Sequence, residues 1–136
     1  MNLMSSQTLL AVLKAAAILH LLALMAQPIF IGQYFSGLPD ALGLHGMGAE
    51  ALVWLGLVQA LLGLLCWFRA GLRTPLMLAL AAIWLGDGLQ IHLGYVRQVA
   101  VHVPLGAALL AVSLAVTLWL WRGAAHSSGT GELSRP

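Results

Sequence analysis

The sequence is poor in charge. Lysine, arginine, aspartate and glutamate together make up 7% of its 136 residues, where a soluble domain carries about a quarter. That deficit excludes a solvated globular surface, and with 61% hydrophobic residues it places the chain in a lipid bilayer as an integral membrane protein. There is one cysteine, Cys66, which excludes an internal disulfide and any cysteine-based metal signature. Within LLGLLCWF it reads as a small buried apolar residue. The apolar runs lack the alternation that membrane-barrel strands need. A formal charge of +2, resting on so few residues, gives no basis for nucleic-acid binding.

Long apolar runs are what the chain has instead. A helix crosses roughly 30 Å of hydrocarbon with about 20 apolar residues, and four stretches qualify: Leu9 to Phe35, Leu42 to Phe68, Pro75 to Val96 and Val99 to Trp121. Helices satisfy their own backbone groups in lipid. The joining segments SGLPDALG, RAGLRT and RQ are short, so successive helices run antiparallel. The expected fold is an all-α, four-transmembrane-helix antiparallel bundle over residues 1–122, with a disordered Gly/Ser-rich tail over 123–136 that carries a solvated His126. A signal-peptidase cut after Ala26 is disfavoured by the bulk of Leu24 and by the apolar run that continues beyond it. Lys14, Arg69, Arg73, Arg122 and Arg135 fall on one side and only Arg97 on the other, which predicts cytoplasmic termini. Trp67, Trp119 and Trp121 fall near that basic face, as an interfacial aromatic belt does.

The two halves echo one another, as two repeated helical hairpins would. IFIGQYFSG is followed by LHGMGA, and IHLGYVRQ is followed by VHVPLGA. The echo places His45 and His102 in equivalent positions, at the extracytoplasmic ends of the second and fourth helices. Helical spacing puts Gly48, Leu52, Gly56, Gln59 and Gly63 on the face of His45, and Gly106, Leu109, Ser113 and Thr117 on that of His102. Small residues in such stripes allow close helix packing; Gly48 and Gly106 also leave room for a flat cofactor. Two neutral imidazoles from separate helices suit the axial positions of a heme. Arg97 lies in the right loop to meet its propionates.

These residues resemble a family. LHGMGA, then QIHLGY followed by VHVPLGAAL, is similar to one four-helix half of the bacterial heme A synthases, over about residues 27 to 110. In that family a Gln and a Gly stand near the end of the third helix, and histidines of the second and fourth helices ligate heme on the outer side. The resemblance implies His45 and His102 as iron ligands and a bacterial inner membrane as location. The family's glutamate before the second-helix histidine falls here at Ala41, the outer loop has no cysteine pair, and a second half is missing. Oxidation of a heme methyl is therefore unsupported, which leaves a small b-type membrane cytochrome or a chaperone-like heme site. Small bacterial four-span proteins with Gln and His at similar positions are also similar to this chain.

Other polar residues need a place. His92 lies about 7–8 Å deeper than Arg97 at the helical rise, on a face with Trp84, Gly88 and Tyr95. It reads as facing cofactor or substrate, with direct ligation as an alternative. Asp87 near mid-membrane costs at least about 2.5–3.5 kcal/mol, so it faces the interior with Gln59, Gln27 or His20 as partner. It shares its face with Gln90 rather than with His92, and reads equally as proton relay or interhelical clamp. His20 and Gln27 share a face in the first helix, with no second histidine to complete another heme site. Glu50 is expected in solvent or paired with Arg97.

The functional expectation is a heme b-binding membrane protein that moves single electrons between quinol, or superoxide, and a redox partner, as a possible component of a membrane oxidoreductase. The rival is a cofactor-free transport or assembly subunit in which Asp87, Gln90, Gln27, Gln59 and His20 form a polar path or clamp. Copper, with His45-x-Met47, or zinc is a third reading. Action as a homo-oligomer or within a larger complex is open.

Overall fold

The computed structural model describes residues 4–125, so the expectations for Arg135, His126 and most of the tail lie outside the described residues. Four helices follow in order: α1 (Ser6–Phe35), α2 (Asp40–Ala70), α3 (Thr74–Tyr95) and α4 (Val99–Ala125). All four are long and apolar enough to cross a membrane. Large apolar side chains cover the outside, among them Phe35, Trp54, Leu85 and Val103, as suits an integral membrane protein whose solvent is lipid.

The helices overrun the expected spans at most ends, and local chemistry explains where they stop. The Ser5 hydroxyl accepts from the Thr8 backbone N–H at 3.1 Å, which caps α1 before Leu9. The helix α2 starts at Asp40, directly after Pro39, so the first turn is shorter than its polar sequence suggested. Gly71 adopts a left-handed φ of 66°, and the Leu72 N–H returns to Cys66 O at 3.2 Å, ending α2 at a left-handed glycine.

Each helix packs on its chain neighbours and α1 closes against α4. The bundle is therefore square, with α1 opposite α3 and α2 opposite α4. Glycines set the spacing. The surface of Gly63 receives Leu80, Gly86 receives Leu109, and Gly56 receives the Asp87 carboxylate and the Trp84 backbone. Towards the basic side the interior is mainly apolar, built from Leu9, Leu13, Ala17, Cys66, Leu76, Leu80, Ile83, Val116 and Leu120. Arg69, Arg73 and Arg122 stand at this end, which we call the basic end; the Arg73 guanidinium lies 5.6 Å from the Trp119 ring. The Lys14 ammonium lies 5.0 Å from the Trp121 ring, both within cation–π range.

At the other end the two hairpin turns are built alike. Ser36 N–H bonds to Gly32 O, Gly37 to Tyr34 O and Leu38 to Gln33 O; Val96 bonds to His92 O, Arg97 to Gly94 O and Gln98 to Leu93 O. The central residue is left-handed in both, Gly37 with φ 93° and Arg97 with φ 58°. Arg97 therefore sits where its turn needs a positive φ, a conformation that costs a non-glycine residue about 1–2 kcal/mol.

The glycine contacts give a direct test. An Ala Cβ at position 56 would sit 2.7 Å from Asp87 Oδ2 and 3.3 Å from the Trp84 Cα, whereas one at position 88 meets nothing within 4 Å. Gly56→Ala should destabilise the bundle by about 1–3 kcal/mol, and Gly88→Ala should be neutral or slightly stabilising. Thermal denaturation of both variants in one detergent checks this; equal midpoints would contradict the packing described.

Candidate functional site

Two polar zones occupy the half of the interior away from the basic end. The outer one is built on the diagonal histidines. His45 on α2 and His102 on α4 bring their ring centroids to 6.2 Å, inclined at 67°. Each ring is tied through Nδ1 to a main-chain carbonyl of the preceding helix: His45 to Gln27 O at 3.3 Å and His102 to Gln90 O at 3.0 Å. A carbonyl only accepts, so Nδ1 carries the proton in both rings and each Nε2 keeps a free lone pair. This is the outer hydrogen bond that metal-ligating histidines use to fix tautomer and orientation.

The same two glutamines fill the glycine spaces beside the histidines. The Gln27 amide nitrogen occupies the surface of Gly48, and the Gln90 amide nitrogen lies 2.8 Å from where a Gly106 Cβ would stand. Gln90 Nε2 also donates to His102 O at 2.8 Å. Gly48 and Gly106 were expected to leave a slot for a flat ring; instead glutamine side chains lie over them. Gln27 and Gln90 are thus bound into the histidine zone, a role their sequence positions did not disclose. The signal was present: each hairpin has a Gln on its first helix and a His on its second. The two copies are registered differently because the first hairpin is longer.

The inner zone lies deeper, seven residues along α1 from Gln27 and three along α3 from Gln90. His20 Nε2 and Asp87 Oδ2 are 3.0 Å apart and fully enclosed, with side-chain exposures of 0% and 2%. Of the three expected partners of Asp87, the structure selects His20. Gln59, Ser113 and Thr117 are also buried, and the Thr117 hydroxyl donates to Ser113 O at 2.8 Å. The register of Gly56 on Asp87 and of Gly63 on Leu80 places Gln59 between those two levels. Among the described residues, five buried polar side-chain atoms find no protein partner: Gln27 Oε1, Gln90 Oε1, His20 Nδ1, Gln59 Oε1 and Ser113 Oγ. An unsatisfied buried group costs about 1–3 kcal/mol, and internal water is what ordinarily meets such a need.

One polar residue sits elsewhere than expected, and two others lie where the sequence allowed. His92 is exposed on the outside of α3, because the inward stripe of that helix runs through Ile83, Asp87 and Gln90; it does not join His45 and His102. Glu50 is exposed, one of its two expected settings, and accepts from the Tyr95 hydroxyl at 3.2 Å. Arg97 is exposed on the turn, at the histidine end but outside the interior. A shallow hollow of about 240 Å³ lies beside the first turn, lined by Gln33, Leu38, Pro39, Asp40, Ala41 and Leu44, and no histidine borders it.

The arrangement suits some metals better than others. Among the described residues no three His, Cys, Asp or Glu side chains gather to hold an ion, whereas zinc and copper sites draw three or four ligands from the protein. Two facing imidazoles suffice where a macrocycle supplies the remaining ligands. Two metal–nitrogen bonds of about 2 Å plus two ring radii give a centroid separation of about 6 Å, close to that observed. Comparison with protein families, curated proteins and solved structures finds no match for this chain.

The inner pair yields a measurable coupling. Removing either partner leaves the other enclosed without its bond. A double-mutant cycle of His20→Leu and Asp87→Leu should give a coupling of about 1–2 kcal/mol, the upper range for polar contacts in membranes. Reversible unfolding in mixed micelles measures it. Coupling near zero would mean that the two side chains do not depend on each other.

Proposed function

We propose that the chain is a small b-type cytochrome that holds one heme at the histidine end of the bundle, with His45 and His102 as axial ligands. It passes single electrons between quinol, or another reduced donor, and a redox partner. The observation that carries this reading is the convergence of two imidazoles from diagonal helices, each anchored at Nδ1 by a main-chain carbonyl and left with a free Nε2. Heme, when bound, supplies a one-electron iron couple tuned by its axial ligands, their hydrogen bonds and burial.

The protein's own part is to orient. Gln27 O and Gln90 O hold the two rings, and their hydrogen bonds make the imidazoles more basic ligands. Gly48 and Gly106 present bare backbone beside the histidines; the Gln27 and Gln90 amides now over them must swing aside to admit a macrocycle. Both amide oxygens lack partners, so Gln27 moves at little loss, whereas Gln90 gives up its bond to His102 O. Arg97 places a cation at the same end for the propionates.

Orientation follows from charge. Lys14, Arg69, Arg73 and Arg122 belong to the basic end, against Arg97 at the other, so the positive-inside rule places both termini in the cytoplasm. The histidine end then faces outward across a bacterial inner membrane. A second reading, a cofactor-free transport or assembly subunit, is favoured by the glutamine amides that close the glycine spaces.

Absorbance decides between them. Purified protein should be red, with sharp reduced α and Soret bands of six-coordinate heme. His45→Ala and His102→Ala should each abolish that spectrum, while His92→Ala and His20→Ala keep it. A colourless protein from heme-replete cells would overturn the cytochrome reading, and loss at all four positions would mark misfolding rather than ligation.

A further inference from the structure

The polar interior is one-sided. From the histidine end inward it presents Gln27 and Gln90, then His20 and Asp87, then Gln59 and Ser113, and it ends at Thr117, whose hydroxyl is spent on Ser113 O. Beyond lies the apolar cluster of Leu9, Leu13, Ala17, Leu76, Leu80, Val116 and Leu120. The unpartnered buried atoms are distributed along the polar stretch, spaced over successive turns as a file of internal waters would need. An imidazole and a carboxyl group 3.0 Å apart share a proton that can lie on either Nε2 or Oδ2, and His20 Nδ1 has no protein partner on its other side.

We propose that His20 and Asp87 form an internal proton-binding site, loaded through water from the histidine end and closed to the basic end. The ligand is one proton, taken from bulk water at that end and returned to the same side. The groups facing the pair leave no competing titratable neighbour among the described residues. Helix α2 contributes Gly56 and Gln59, and α4 contributes Leu109 and Ser113; on α3 the next polar residue is Gln90, and on α1 it is Gln27. Lys14 directs its ammonium to Trp121 at the opposite end. A site of this kind compensates charge inside the membrane without moving protons across it. The inference stands on the inner zone alone and does not require the cytochrome reading.

Aspartate occurs twice in the chain, at Asp40 and Asp87, so one spectroscopic label isolates the site. Full-length Asp40→Asn protein, labelled with ¹³C-carboxyl aspartate and reconstituted in liposomes, is studied by infrared difference spectroscopy across a pH series and on exchange into D₂O. This leaves the His20–Asp87 pair intact and needs no inactive variant. The expected result is an Asp87 carboxyl band that changes with pH and shifts in D₂O, while the same liposomes sustain an imposed proton gradient as well as empty ones. An Asp87 band that neither titrates nor exchanges would overturn the proposal in favour of a static clamp. Collapse of the gradient would overturn it in favour of a through-channel. A colourless preparation in which Asp87 still titrates would sink the cytochrome and leave the proton site standing; a red preparation with a silent Asp87 would do the reverse.

Discussion

In lipid, apolar side chains gain nothing by leaving their surroundings for one another, so helices associate only where they fit closely or share polar groups. This bundle depends on that constraint. Gly56, Gly63 and Gly86 let the neighbouring helix push a side chain onto bare backbone, and the contact makes up in dispersion what the hydrophobic effect cannot supply. Because the inserted side chain is in one case the Asp87 carboxylate, the same close approach that joins α2 to α3 also seals a polar group in the interior. Packing and chemistry meet at one glycine.

That sealing divides the molecule. In its basic half, mainly aliphatic side chains fill the centre and, among the described residues, leave no polar atom there without a partner. In the other half, every helix contributes a buried or half-buried polar residue, and several of their atoms lack protein partners. A structure under selection for stability alone would replace such groups with apolar ones at a gain. Their unpartnered atoms run from beside the two histidines to the middle of the bundle, where the structure forgoes the stability that apolar side chains would give.

The spans were readable because composition and length decide them, and the inward faces because the 3.6-residue period decides them: Leu52, Gly56, Gln59 and Gly63 lie buried along the stripe that also holds His45. Asp87 was legible as an interior residue because nothing else tolerates a carboxylate at that depth. His92 was misplaced because Gly88, Trp84 and Tyr95 form a coherent helical stripe of their own, and a stripe of small and aromatic residues does not say whether it meets protein or lipid. The carbonyl anchors were invisible for a different reason. They are main-chain atoms, chosen by the angle and depth at which α1 meets α2 and α3 meets α4, and no residue type encodes them.

The hairpin geometry explains why the echo between the halves was weak. Gln27 and His45 are 18 residues apart, Gln90 and His102 only 12, yet both pairs make the same bond. Measured from the left-handed residue of each turn, the glutamine lies ten residues back in the first hairpin and seven in the second, and the histidine eight onward against five. Each limb of the first hairpin is thus longer by three residues, close to one helical turn. Adding to both limbs together preserves the facing pair; adding to one alone would rotate the histidine off its carbonyl. A fixed-offset comparison of the halves, such as one aligning Ile29 with Ile91, misses the glutamines by a single residue. The conserved quantity is the depth at which the two limbs face each other, and a helical pair can slide its turn along the membrane normal only in whole turns without losing it.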